Sequence, residues 1–202
     1  MQLCSDGRDK INTFREATKL LAENPVIFSV VRDPVDRFLS GYVNKCVQEN
    51  DRPEEAKCFG CHEDLQCFFE QLRERLIASY DPSSNFTDHE FFYMRHFAPM
   101  TWYCNLKESI NQMRFIQFDQ HYRWKLAADI DEVLRSAGVP SKQREYVRQQ
   151  VYQELPVHST ANNTKRREVE LALSDPKIAD LFIEIYYYDF IVFDFKFPLI
   201  KV

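Results

Sequence analysis

Pro25-Val26-Ile27-Phe28-Ser29-Val30-Val31-Arg32-Asp33-Pro34-Val35-Asp36-Arg37-Phe38-Leu39-Ser40-Gly41-Tyr42 joins a short apolar run to an amphipathic one through a single arginine. Val26 to Val31 is rich in β-branched residues and is bounded by Pro25 and Asp33-Pro34, the pattern of a strand covered on both faces. Asp33 suits a helix N-cap with Pro34 at the first helical position, so a helix is expected to start here. Val35, Phe38, Leu39, Tyr42, Val43, Cys46 and Val47 recur at helical spacing and mark its buried face. Arg37, Ser40, Gly41 and Asn44 fall on a second stripe. In open α/β sheets ligands gather beyond the carboxyl ends of the strands, where a helix N-terminus favours an anion. Arg32 occupies that place. Its planar fork matches phosphate oxygens, Ser40 can donate a hydroxyl hydrogen bond, and Gly41 lets a ligand approach the backbone. The same residues fit a second reading, in which Arg32 and Arg37 pair with Asp33, Asp36 or a distant carboxylate, since no glycine-rich cradle accompanies them.

Outward from this stretch, Leu65, Phe68, Phe69, Leu72 and Leu76 predict an amphipathic helix closed near Tyr80-Asp81-Pro82. Met113 to Phe118 predicts a second core strand. Trp124 to Ala137, stopped by Gly138, predicts another helix, and Pro140-Ser141 starts one running to Tyr152. Asp175-Pro176 opens a long aromatic helix to Tyr188, after which Phe190 to Phe197 adds a strand or an extended tail. Helices alternating with few strands indicate an α/β fold with about three or four mainly parallel strands. The chain is 202 residues long and 45% hydrophobic, enough for a sizeable core in a single domain spanning 1–202. A net charge of −5 argues against a general nucleic-acid binder but leaves room for a local basic cleft that holds nucleotides or acidic glycans.

The first motif resembles the 3′-phosphate-binding motif of the Golgi carbohydrate sulfotransferases, which use 3′-phosphoadenosine 5′-phosphosulfate as donor. The resemblance assigns Arg32 and Ser40 to the 3′-phosphate, with Arg37 beside them. It extends downstream. His96-Phe97-Ala98-Pro99-Met100-Thr101-Trp102-Tyr103-Cys104 is similar to the His-x-x-Pro segment of the chondroitin and dermatan branch, and Met113 to Phe118 to the strand after it. His158-Ser159-Thr160 resembles the His-x-Thr loop before the last helices, which implies a nucleotide-binding role for His158 and Thr160. Tyr186-Tyr187-Tyr188-Asp189-Phe190-Ile191-Val192-Phe193 resembles the family's Tyr-x-x-Asp-Phe-x-x-Phe ending, and the spacing of Cys58, Cys61 and Cys67 is similar to the nematode group. Across about residues 25–197, the resemblance implies a P-loop-like sulfotransferase fold, a small parallel sheet flanked by helices.

Members of that family open with a Pro-Lys-x-x-x-(Ser/Thr) loop that holds the 5′-phosphosulfate. No such run precedes Arg32; residues 1–24 read instead as an amphipathic helix with Ile11, Phe14, Ala17 and Leu21 inward. The expectation is an N-terminally truncated sulfotransferase fold, catalytically weak as written. The implied reaction is transfer of sulfate to a hydroxyl of an acidic glycan or glycosaminoglycan, without a metal. A noncatalytic nucleotide- or glycan-binding member is the alternative. A P-loop kinase relative fits poorly, because no Gly-x-x-x-x-Gly-Lys-(Ser/Thr) run is present.

Sulfuryl transfer needs a base for the acceptor hydroxyl. His96 is the candidate, expected in a loop; a structural histidine bonded to a backbone carbonyl is the competing reading. His89, beside Asp88 and Glu90, reads as solvent-exposed, and His62 and His121 carry no comparable context. No stretch of 18 apolar residues exists, and the first thirty residues lack a signal pattern, so no transmembrane segment is expected. Six cysteines point instead to an oxidising lumen, and the resemblance to the Golgi. Cys58, Cys61 and Cys67 are open to disulfides, to buried free thiols, or to zinc with His62 as a poorly spaced fourth ligand. Asn85-Phe86-Thr87 and Asn162-Asn163-Thr164 are glycosylation sequons.

Overall fold

The computed structural model describes Lys19 and residues 25–49, 52–119, 121–153 and 163–198. Strand β1 (Phe28–Arg32) leads into helix α1 (Pro34–Tyr42), which runs on as a π-helical stretch over Val43–Gln48. A 3₁₀ segment at Glu54–Gly60 precedes α2 (Leu65–Ala78) and α3 (Asp88–Phe97). Helical turns over Met100–Asn105, Leu106–Ser109 and Ile110–Gln112 lead to β2 (Arg114–Phe118). Helices α4 (Arg123–Ser136), α5 (Ser141–Gln153), α6 (Thr164–Ala172) and α7 (Pro176–Val192) complete the order. This is the expected α/β arrangement, mostly helical around a small parallel sheet.

The chain divides into two compact units. One comprises Pro34–Pro99 with the described residues of His158–Val202; the other comprises the described residues of Gln2–Asp33 and of Met100–Val157. The first unit is built on aromatic rings. Phe38, Phe68, Phe69, Phe97, Phe182, Tyr186 and Phe190 are each at most 2% exposed. Phe38 alone lies with its centroid 4.7 Å from Phe69, 5.7 Å from Phe182 and 6.0 Å from Phe97. Tilted and edge-on pairs of this kind add about 0.5–1.5 kcal/mol each beyond their burial. The helices that deliver the rings are capped by their own sequence. Asp64 accepts from the Cys67 amide at the start of α2, Thr87 and Glu90 form a reciprocal capping box on α3, and Asp175 accepts from Lys177 and Ile178 ahead of Pro176 in α7.

Two disulfides fasten this unit, Cys46–Cys58 and Cys61–Cys67. Of the alternatives that the cysteine spacing leaves open, the structure takes the disulfides and recruits Cys46, which the helical pattern assigns only to a buried face. To reach it, Cys58 and Phe59 adopt positive φ of 49° and 64°, with Gly60 at 77°. Gly41 also departs from its sequence reading. A Cβ there would stand 3.2 Å from Phe97 Cε1, so the missing side chain serves close packing of α1 on α3 rather than ligand approach.

The second unit holds the sheet. β1 and β2 pair in parallel from Phe28 opposite Arg114 to Arg32 opposite Phe118, and the Arg114 amide extends the ladder to the Ile27 carbonyl at 2.9 Å. Ile116, Leu126 and Val133 form its core, with Phe118, Ile130 and Val151 packed around them. Three expectations need correction. The sheet has two strands among the described residues, not three or four. β1 is not covered on both faces, since Val31 is buried while Val26, Phe28 and Val30 are 36–45% exposed. An apolar run states that a face can be covered and not that a neighbour is present to cover it. Finally, α7 continues to Val192, and the residues after it form an extended tail rather than a strand, with Phe197 stacked on Phe190 at 4.8 Å.

Candidate functional site

Arg32 ends β1, and α1 begins two residues later at Pro34, so the arginine stands where the sequence places it, at the carboxyl end of a parallel strand. Its guanidinium carbon lies 5.4 Å from the Phe118 ring on β2, its partner in the register. A ring face against one side of the fork limits its motion and leaves the in-plane N–H groups as donors.

Arg37, Ser40 and His96 belong to the aromatic unit. Ser40 is half-buried on α1. Arg37 Nη2 donates to the His96 carbonyl at 3.0 Å, and Tyr186 Oη donates to the Phe97 carbonyl at 2.7 Å. The last carbonyls of a helix have no partner inside it. Here α1 and α7 each supply a donor to the final turn of α3, which fixes that turn in place. Arg37 therefore commits at least one N–H to protein structure. Asp36 forms an ion pair with Arg166 of α6, the carboxylate partnership that the second reading of this stretch anticipates for its charges.

His96 lies in the last turn of α3, a correction to the expected loop: the capping box starts the helix early enough to include it. Its Nδ1–H donates to the Phe92 carbonyl one turn back at 2.6 Å, which leaves Nε2 as the basic nitrogen. Burial pushes the imidazole below its ordinary pKa; Lys45 and Arg95 push the same way, against the Phe92 hydrogen bond and Glu49. A neutral imidazole with a fixed tautomer is what a general base requires.

The ring of His96 packs 4.2 Å from Phe92, and that phenyl gathers cations: Arg52 Cζ at 3.5 Å and Lys45 Nζ at 5.6 Å from its centroid. Arg52 Nη1 donates to His89 Nδ1 at 2.9 Å, so His89 is half-buried and engaged, not simply solvated as its acidic neighbours suggest. Lys45 is held by Glu49 at 2.7 Å. Lys45, Arg52, His89 and Phe92 escaped the sequence reading. The available signal was the spacing of His89, Phe92, Tyr93 and His96, one stripe of a single helix. His158 and Thr160 lie outside the described residues. Lys165, a candidate substitute for a phosphate-loop lysine, is exposed and paired with Glu63 at 3.3 Å and Glu168 at 3.0 Å. Among the described residues no cluster of metal-ligating side chains occurs.

The Sulfotransferase family profile matches residues 6–196 of this chain. Carbohydrate sulfotransferase chst-1 of Caenorhabditis elegans is 29% identical over 174 residues, covering 82% of this chain and 51% of that protein. A second protein of the same organism, vep-2, provisionally named a sulfotransferase, is 30% identical over 159 residues, covering 78% of this chain and 49% of its own length. The chain thus spans about half the length of the curated relatives it matches. No solved structure gives a significant match. The profile spans nearly the whole sequence, and the chain belongs to the sulfotransferase family.

Proposed function

We propose that this sulfotransferase-family chain is the single catalytic domain of a chondroitin-type carbohydrate O-sulfotransferase of the Golgi lumen, with 3′-phosphoadenosine 5′-phosphosulfate as donor and an acidic glycosaminoglycan as acceptor. The observation that carries the reading is Arg32 at the carboxyl end of a parallel strand, one residue short of the helix that bears Ser40. Arg32 and Ser40 hold oxygens of the 3′-phosphate, and His158 and Thr160 contribute to the nucleotide. Arg37 acts chiefly by tying down the α3 terminus, which makes it a positioning residue for His96. His96 Nε2 takes the proton of the acceptor hydroxyl as that oxygen bonds to sulfur, while the bond from sulfur to the 5′-phosphate oxygen breaks and its electrons leave with the nucleotide. The Cys46–Cys58 and Cys61–Cys67 bridges support an oxidising compartment, and the name of the chst-1 relative supports a sugar acceptor.

The test is calorimetry with 3′-phosphoadenosine 5′-phosphate and with adenosine 5′-phosphate. Arg32→Ala is expected to weaken the first by about 1.5–3 kcal/mol and to leave the second nearly unchanged. Equal affinity of the unaltered chain for both nucleotides would sink the assignment. A noncatalytic reading is favoured by one observation: residues 1–31 contain no Pro-Lys-x-x-x-(Ser/Thr) run. Transfer of radiolabelled sulfate to desulfated chondroitin separates the two. Nucleotide binding without turnover, restored by adding a relative's upstream loop, supports a catalytic domain short of one part; no turnover in either form supports a binding protein.

A further inference from the structure

α4 and α5 form a hairpin whose outer groove presents two matched stripes. Trp124, Ala127, Ala128 and Asp131 lie at i, i+3, i+4 and i+7 of α4, and Glu145, Arg148, Gln149 and Tyr152 at the same spacing on α5. Together they enclose an open groove of about 430 Å³. The alanines form a shallow floor. The rings of Trp124 and Tyr152 stand at one end, 61% and 60% exposed, an arrangement that costs apolar hydration and that core packing does not explain. Beyond them the polar groups are tied into a fixed set. Arg148 donates to Glu145 Oε2 through Nε and Nη2 at 3.0 and 2.6 Å, Gln149 donates to Glu145 Oε1 at 2.9 Å, and Arg144 grips both oxygens of Asp131 at 2.8 Å. These hydrogen bonds hold the Glu145 carboxyl below its ordinary pKa. The aromatic end thus combines flat apolar faces with paired, charge-balanced donors and acceptors. A second hollow of about 390 Å³ continues from it, sharing Asp131, Glu145 and Arg148 and adding Ser141, Lys142 and Arg144. Lys142 makes that end net positive.

Flat rings match the C–H faces of a pyranose, and rigid paired polar groups match hydroxyls and an acetamide without favouring a charged ring. The adjoining lysine favours a carboxylate. We propose that the α4–α5 hairpin carries a glycan-binding groove, in which an uncharged sugar ring packs on Trp124 and Tyr152 and an acidic neighbour in the same chain faces Lys142. The proposal rests on the reading of the acceptor as an alternating acidic glycan and adds a place that holds it apart from the transfer site.

The experiment uses the whole chain without nucleotide and two probes, an unsulfated chondroitin hexasaccharide and a neutral N-acetylglucosamine trisaccharide, titrated calorimetrically with tryptophan fluorescence in parallel. Both probes are expected to bind, the neutral one with little salt dependence and the hexasaccharide more weakly as salt rises. Trp124→Ala should weaken both about tenfold, from loss of one aromatic face. Lys142→Glu should weaken only the hexasaccharide. Both side chains are exposed, so circular dichroism should be unchanged; Trp124→Phe, which keeps an aromatic face, should retain binding if the alanine variant misfolds. Binding of neither probe, or binding indifferent to Trp124→Ala in a folded chain, overturns the groove. Light scattering that shows a dimer dissolved by Trp124→Ala overturns it in favour of a second copy of this chain. Sulfate transfer to chondroitin without groove binding would leave the catalytic reading standing and remove this one; groove binding without transfer would do the reverse.

Discussion

The aromatic unit and the sheet unit are made from similar kinds of apolar residue and use them differently. In the first, rings meet rings: Phe38 touches neighbours from α1, α2, α3 and α7, and two cystines close the adjoining turns. In the second, Ile116, Leu126 and Val133 make a small core, while Val30, Trp124 and Tyr152 remain 45–61% exposed. Large apolar residues buried among one another report stability. Large apolar residues held in the open on regular elements report something still to be bound.

The comparison breaks most directly at Phe38. Phe38→Ala removes a fully buried ring with little prospect of collapse around it, and is expected to cost about 3–5 kcal/mol in urea unfolding followed by circular dichroism. Ile116→Val in the sheet unit should cost about 0.5–1.5 kcal/mol. If the two losses came out equal, the contrast between a deep and a shallow core would be wrong.

Next in size are the bridges. Cys46→Ala with Cys58→Ala opens a loop of sequence separation 12, and the Cys61, Cys67 pair one of separation 6. By loop entropy each contributes about 2–3 kcal/mol, the longer one more. Non-reducing mass mapping should recover those two pairings; a 58–61 or 58–67 bridge would overturn the arrangement.

Much of the aromatic unit was legible in the sequence because helical periodicity and capping chemistry are local. Leu65 to Leu76, Thr87 with Glu90, and Asp175-Pro176 each announce an element within a few residues. Partners that meet across long separations were not legible. Nothing near Cys46 indicates Cys58, and nothing near Arg37 indicates the His96 carbonyl 59 residues away. Gly41 is the instructive failure, since a glycine on a ligand-facing stripe and a glycine against a phenyl ring look identical until Phe97 is placed. At the site, Arg32 was legible from the strand pattern, whereas the cations over Phe92 come from a different segment and left no local trace.

The smallest effect concerns acid, and it also separates the units. His96 in the aromatic unit is held below its ordinary pKa, first by burial and then by Lys45 and Arg95. The folded chain thus takes up this proton less readily than the unfolded chain, whose histidine titrates near about 6.5. Stability from the neutral imidazole is therefore complete above that value and declines as pH falls toward the lower folded pKa. Between pH 7.5 and 5.5 ordinary carboxylates stay ionised, so the slope of unfolding free energy in that window isolates the histidines. His96→Gln, which keeps a polar side chain of similar reach, is expected to flatten the slope, whereas His121→Gln at an exposed position of the sheet unit should leave it as it was. The same sign governs catalysis: turnover should fall as His96 protonates and should persist to lower pH than an ordinary imidazole allows. An unchanged slope in His96→Gln would show that His96 does not bury its neutral form, and would remove the electrostatic case for it as the base.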